Sequence, residues 1–474
     1  MNSETKKRLL LISAVPAALL LAFAATVCAR AVQIRRPSAM TELSAAEQEA
    51  LDAVLDGQYP SRREILHPLP YPVKPAELSV GARSAIAVDA ANGNILYEKN
   101  ADEAISPASM TKLVVMYVVF EEIAAGRLSM DDVVPLPPES WACNMPPRSS
   151  LMFLGKGQRV TVEELLAGLA VCSGNDAAYA LAYHICGGME PFIARMNGAV
   201  RALGLERTKF VESSGYSELN TTTAREMAAF ACAYLERHPE ALPQFHSRLS
   251  FTYPQEHNLA PEDVGKPRAQ DFSKGLPEHI TMGIYQQNSN PLLGTLDGCD
   301  GLKTGYIDES GYNLALTARR KALRVLSVTM GGPGASAAEG NAWRVRDGTT
   351  IMEWAFATFA DYQNPLVLRT YQIPLVQADR TRMPLVPAFK PAALTVPAVV
   401  AADPDNAADE VRITVRLPPL LKGAIHAGEP LGAIEYHLSG ALLQTVPLVA
   451  GRSVGRANAW ICAADAAAQL VLKL

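Results

Sequence analysis

The 474-residue chain has no Cys-x-x-Cys pair and no His-Glu-x-x-His, so two common zinc signatures are missing. Its eight His are dispersed, and His238 and His246 are too far apart to share one helix turn, so no metal and no cofactor are expected. Positive charge is not in surplus. The 43 Lys and Arg meet 48 Asp and Glu, and a net charge of −5 gives no support to nucleic-acid binding. There is no internal repeat, and low complexity is confined to the Ala/Pro-rich stretch 391–408. The seven Cys (Cys28, Cys143, Cys172, Cys186, Cys232, Cys299, Cys462) are scattered. Their spacing specifies no disulfide connectivity, and they read mainly as small buried hydrophobes.

What is present begins at the N-terminus. Lys6, Lys7 and Arg8 precede an apolar stretch that ends in small residues, the three-part layout of a secretory signal. Val27-Cys28-Ala29 and Ala29-Arg30-Ala31 both offer small residues for cleavage; the alternative is an uncleaved anchor. Either way the bulk of the chain is expected outside the cytoplasmic membrane, in the periplasm or on the membrane's outer face. Composition then divides the chain into a signal (1–29), an extension (30–79), a main domain (80–363), a β-rich domain (364–455) and a tail (456–474). "RSAIAVDA" and "ILYEKN" flank Asn92-Gly93 and predict a β-hairpin. Helical patterns dominate from about 107 to 240. Strands return at "GLKTGYI", "YNLALTAR" and "ALRVLSVTM", and "TTIMEWAFATFADY" predicts a last helix. Early strands, a helical middle and late strands make an α+β domain with an antiparallel sheet. Beyond it, "VRITVRL" alternates, and "LGAIEYHL" and "ALLQTVPLV" flank Ser439-Gly440 as a second hairpin, predicting a small all-β domain.

Three short motifs carry chemistry. In "SMTKLVVMYVVF", Ser109 and Lys112 sit at i and i+3, on one helix face, and Leu113–Phe120 holds no charge. Lys112 either snorkels to the surface or is held dry, where desolvation lowers its pKa and an amine beside a hydroxyl activates a nucleophile. In "VCSGNDAAYAL", Ser173-Gly174-Asn175 breaks two apolar helical patterns. It is either a helix–helix turn capped by Asn175 or Asp176, or a proton-relaying Ser with an amide-binding Asn. Lys303-Thr304-Gly305 lies early in a strand. It is either an exposed edge kept polar, or a carboxylate site with Gly305 letting a peptide approach and pair as an added strand.

In order and spacing the three fit S-x-x-K, S-x-N and K-T-G. With the segments around them, and with "GEPLGAIEYHLSGALLQTVPLV" in the β-rich domain, the chain resembles the low-molecular-weight penicillin-binding proteins, the serine D-alanyl-D-alanine carboxypeptidases of the penicillin-binding protein 5 type, over roughly 80–460. The resemblance implies a penicillin-binding-protein/β-lactamase-like transpeptidase domain. Its substrate would be a peptidoglycan stem peptide ending in D-Ala-D-Ala, and β-lactams would inhibit it covalently. It makes Ser109 the nucleophile, Lys112 the base and Ser173 the proton shuttle. Asn175 would hold the substrate amide, Lys303 and Thr304 its carboxylate, and the N–H groups of Ser109 and Tyr306 the oxyanion. Arg344 is read two ways, as a helper at the carboxylate or as a surface charge on the last helix. Endopeptidase action on cross-links would use the same residues. A class A β-lactamase would need a Glu in E-x-x-x-N, and "YSELN" at 216–220 has Tyr216 there. A non-enzymatic scaffold would be expected to lose Ser109, Lys112 or Lys303, and all three are intact. The tail is where the family carries an amphipathic membrane anchor. Here it is Ala-rich with few basic residues, and membrane-surface association is one of two readings.

Overall fold

The computed structural model describes residues 3–35, 43–58, 65–74, 76–266, 268, 270–362, 370–389, 393–402 and 411–473. Two compact units form. The larger comprises Glu64–Tyr362 with Thr395–Ala402; the smaller comprises Met1–Arg63, Gln363–Leu394 and Asp403–Leu474.

The larger unit is built on a sheet of β1 (His67–Pro68), β2 (Ser84–Asp89), β3 (Asn94–Lys99), β4 (Cys299–Ile307), β5 (Gly311–Arg320) and β6 (Leu323–Gly332), in the order β1-β3-β2-β6-β5-β4. The expected hairpin is β2–β3, and the three late strands form the meander β4–β5–β6. The two-residue β1 adds to β3 in parallel; all other pairs are antiparallel. The period of two in β2 sorts its side chains. Ile86 and Val88 join the core under the helices, whereas Ala85 and Ala87 join a second core with Ile351, Met352 and Ala355. Both faces are covered, so the central strands read as nearly continuous apolar runs.

Five helices lie over the first face: α1 (Thr111–Ala124), α2 (Val162–Ala167), α3 (Asn175–Cys186), α4 (Met189–Ala202) and α5 (Ala224–Arg237). Every residue of α1 from Leu113 to Phe120 is buried, as its charge-free sequence requires. Burying each large apolar side chain contributes about 1.5–3 kcal/mol, which makes α1 a rigid post for whatever stands at its start. The helix on the other face, α6, differs from expectation: it runs Ala337–Thr358, and Phe359–Tyr362 is a strand. Gly340 and Gly348 make "EGNAWRVRDG" look broken. They are where the helix touches the sheet: a Cβ at Gly340 would lie 2.2 Å from the Tyr312 ring, and one at Gly348 3.1 Å from Leu316 of β5. Tertiary packing overrides helix propensity there.

The smaller unit carries β7 (Tyr371–Val376), β8 (Arg382–Pro387), β9 (Val411–Arg416), β10 (Leu421–Lys422), β11 (Pro430–Leu438) and β12 (Ala441–Ala450) in one sheet, order β9-β11-β12-β8-β7-β10. The second expected hairpin is β11–β12, with Ser439 and Gly440 both at positive φ. Helix Ser3–Arg35 packs in this unit against a helix at Ala459–Leu472. Asp465, fully buried, takes two hydrogen bonds from Arg30 (2.5 and 2.8 Å), and Phe23 meets Trp460 edge to face. In this last helix Ala464 and Ala468 are buried, while Leu470 and Val471 are exposed.

Candidate active site

A short 3-10 turn, Ala108–Met110, leads directly into α1 and places Ser109 one turn before Lys112 on the same face. Ala108 adopts a left-handed φ of 49°, and two glycines close around this turn. A Cβ at Gly215 would lie 1.9 Å from the Ala108 carbonyl oxygen; one at Gly305 would lie 2.5 Å from that of Pro107 and 3.2 Å from the Ser109 nitrogen. Gly305 is therefore required for β4 to approach the Ser109 backbone, a reason that its place in a strand edge did not reveal.

Lys112 does not snorkel; its side chain is fully buried. Its Nζ donates to Ser109 Oγ (3.0 Å), Asn175 Oδ1 (2.8 Å) and the Ser214 carbonyl (2.5 Å). Burial pulls its pKa down to about 7, against the opposing pull of Glu212 and Asp176. Loss of one proton leaves two N–H donors and a lone pair. Of the three partners only the Ser109 hydroxyl can donate, because Ser214 offers a carbonyl and Asn175 its Oδ1. That amide orientation is supported by Nδ2 donating to Ser149 Oγ (3.1 Å). Neutral Lys112 is thus left with its lone pair on the Ser109 hydroxyl proton.

Ser173 follows a π-helical turn, Gly168–Cys172, and takes a left-handed φ of 57°. Irregular turns of this kind recur at functional sites. Its Oγ accepts a hydrogen bond from Lys303 Nζ at 2.9 Å. Lys303 lies on the free edge strand β4 yet is only 1% exposed, so the exposed-edge reading is excluded. Burial, then the nearby Lys112 and Arg344, push its pKa well below the usual lysine range. Thr304 shares a hydrogen bond with Ser289 (2.7 Å). Arg344 is no surface charge either. It is buried, its Nη2 donates to the Gly305 carbonyl (2.5 Å) and its Nε to that of Asn313 (3.1 Å), and its guanidinium covers the Tyr312 ring. Burial lowers its pKa to about 10. Tyr306 stands at the cleft with its hydroxyl on Asp308 (2.6 Å).

Several supporting residues escaped the sequence reading. Asp176 is more than a turn cap: it is fully buried and accepts four backbone N–H bonds, from Met152, Phe153, Leu154 and Ala177 (2.8–3.0 Å). It clamps the 150–154 loop beside Asn175. Asn220, the end of the "YSELN" near miss, bonds Val211, Glu212 and Thr111. Glu212 accepts from the backbone of Ser214 and Gly215 (both 2.7 Å), which aims the Ser214 carbonyl at Lys112. The seven Cys are all free thiols, and only Cys172 and Cys232 are buried, fewer than expected.

Of these groups, Ser109, Asn175 and Tyr306 line a cleft of about 290 Å³. Residues 72–334 match the D-alanyl-D-alanine carboxypeptidase family. The chain belongs to it. Among its relatives, the D-alanyl-D-alanine carboxypeptidase DacC of Escherichia coli (strain K12) is 30% identical over 381 residues, 79% of this chain and 85% of that protein. The D-alanyl-D-alanine carboxypeptidase DacF of Bacillus subtilis is 27% identical over 81% of this chain and 88% of its own length. The structure is also similar to penicillin binding protein 5 from Haemophilus influenzae (TM-score 0.66, 27% identity), over 81% of this chain and all of that one. The family's α+β domain followed by a β-rich domain is the arrangement described above.

Proposed function

We propose that the protein is a serine D-alanyl-D-alanine carboxypeptidase that removes the terminal D-alanine of peptidoglycan stem peptides through an acyl-enzyme on Ser109. The carrying observation is the hydrogen-bond set of Lys112, which leaves a neutral amine facing only one proton, that of Ser109. Ser109 Oγ attacks the carbonyl carbon of the penultimate residue while its proton passes to Lys112 Nζ. The N–H groups of Ser109 and Tyr306 receive the developing oxyanion, each donor contributing on the order of 3 kcal/mol. The tetrahedral intermediate then expels the D-alanine amine, which takes a proton through Ser173. Water attacks the ester and returns Ser109. Lys303, Thr304 and Arg344 receive the terminal carboxylate, and Asn175 holds the peptide amide. The unpaired edge of β4 supports docking of the peptide as an added strand.

Penicillins acylate the same serine in this reading. Deacylation is slow, because Tyr216, which offers no carboxylate to activate water, stands at the position a β-lactamase fills with Glu. The test is paired: steady-state D-alanine release from a D-Ala-D-Ala pentapeptide, and decay of the penicilloyl adduct followed by intact mass. Multiple turnovers of peptide with a long-lived adduct are expected. Fast penicillin turnover without D-alanine release would promote the β-lactamase reading.

We further propose an exported protein whose active site works in the periplasm or on the outer face of the cytoplasmic membrane. Val15–Arg35 form a helix long and apolar enough to cross a membrane, which supports a signal or an anchor. Fractionation of cells expressing the full chain checks this: recovery in the cytosol would contradict it.

A further inference from the structure

The smaller unit has a pocket of its own, about 460 Å³ in volume. Three guanidiniums line it: Arg380 in the turn between β7 and β8, Arg382 at the start of β8, and Arg452 just after β12. Among the described residues the one carboxylate in the lining is Glu47, and it is committed to the wall. Its Oε2 accepts from the Ser44 nitrogen (3.0 Å) and hydroxyl (2.9 Å) at the start of helix Ala45–Gln58, and its Oε1 from Arg452 Nη1 at 3.1 Å. The Ser44 bonds, then Arg452 and Arg380, hold its carboxyl below the usual range, so it stays charged. Arg452 Nε is buried and meets no acceptor among the described residues, an exception to the rule for buried donors.

Where the pocket lies limits which anion reaches it. Arg382 Nη2 donates to the Gln33 carbonyl at 3.0 Å, so the pocket adjoins the end of helix Ser3–Arg35. Val15–Arg35 of that helix is the segment long and apolar enough to cross a membrane. Ile34 packs on Ala468 of the last helix and on Val376 of β7. Apolar side chains nevertheless stay in the open on both helices: Val32 is 55% exposed, Leu470 81% and Val471 69%. Arginines beside exposed apolar side chains suit the surface of a bilayer, where phosphate and acyl chain lie together.

We infer that Arg380, Arg382 and Arg452 form a binding site for the phosphodiester headgroup of an anionic membrane lipid. A planar guanidinium fork matches two phosphate oxygens at once. An anionic lipid brings net negative charge to a lining of three guanidiniums and one carboxylate. A zwitterionic lipid brings an ammonium as well, which the arginines repel. Occupied, the site fastens the smaller unit to the bilayer surface beside the apolar helix. The inference rests on the export reading above, because only an exported chain brings this unit to the outer leaflet.

The test uses the full-length protein in a neutral detergent, titrated calorimetrically with three probes: dioctanoyl phosphatidylglycerol, dioctanoyl phosphatidylcholine and glycerol phosphate. The anionic lipid is expected to bind roughly tenfold or more tightly than the zwitterionic one, as charge-assisted bonds imply. Glycerol phosphate, which lacks acyl chains, is expected to bind more weakly than the anionic lipid. Arg380→Gln alters an exposed side chain and should cut the preference between the lipids, and Arg380→Lys should keep more of it. Arg382→Gln should cut it too, whereas Arg456→Gln, exposed and outside the pocket lining, should leave it unchanged. All variants are first shown folded by circular dichroism. Equal affinity for the two lipids in the wild type would overturn the site, as would a preference that survives both Arg380→Gln and Arg382→Gln. Glycerol phosphate binding as tightly as phosphatidylglycerol would overturn the lipid and make the pocket one for a soluble phosphate ester. Purified protein serves throughout, so failure here is distinct from recovery in the cytosol, which contradicts export itself.

Discussion

Lys112 and Lys303 are both buried, and what each touches differs: Lys112 reaches Ser109, Asn175 and the Ser214 carbonyl, and Lys303 reaches Ser173 and the Thr304 carbonyl. We predict that Lys112→Arg, always protonated and unable to accept, lowers acylation by roughly 10²–10⁴-fold, the usual worth of general acid–base catalysis. Stopped-flow acylation on a variant shown folded by circular dichroism checks this, and a near-wild-type rate would point to another base. Gly305→Ala is predicted to be as damaging without touching any polar group. Its Cβ would meet the Pro107 carbonyl at 2.5 Å and push β4 away from Ser109. The expected result is lost acylation with the sheet retained; unchanged acylation would show that the turn yields easily.

At the scale of elements, the site is a set of loops pinned to rigid pieces by buried carboxylates. Asp176→Asn exchanges an acceptor-only group for one with two donors, against four N–H groups. It should free the 150–154 loop and cost about 1–3 kcal/mol; hydrogen exchange confined to that loop would report it, and full protection there would contradict the clamp. A second carboxyl, Asp361, sets a pH dependence. Burial and then Asp89 push its pKa up to about 9, so it is protonated at neutral pH. Thr395, from the strand Leu394–Pro397, donates to Asp89 at 2.7 Å. A raised carboxyl pKa means that the folded state binds the extra proton, so its contribution is present at low pH and lost as pH rises toward 9. Wild type should lose stability relative to Asp361→Asn across that window by denaturant melts, and parallel pH curves would refute the assignment. Local signals announced the two hairpins, the charge-free α1 and all three motifs, because turn residues, periodicity and motif spacing are written in adjacent positions. Asp176 as a clamp, α6 with its two glycines, and buried Arg344 were not legible. Each depends on a close approach between segments far apart in sequence.

For the molecule as a whole, the three motifs come from the start of α1, the turn before α3 and the edge of a sheet that antiparallel pairing holds in register, so the fold exists to converge them. The N-terminal helix poses its own question. Arg30 is the ion partner of buried Asp465, and of the two cleavage sequences one retains Arg30 and the other removes it. Orphaning a buried charge costs several kcal/mol, so the mature chain is predicted to keep Arg30, which intact mass of protein from the exporting host will show. A mature N-terminus at Val32 would contradict that. Neutral Lys112 is proposed to take the proton of Ser109. The most direct measurement is the rate of penicilloyl formation on Ser109 against pH, followed by intact mass and peptide mapping. The rate is predicted to rise about tenfold per pH unit below about 7 and to level off above it, as Lys112 loses its proton. A rate flat from pH 5 to 9, or an adduct on any residue other than Ser109, would contradict it.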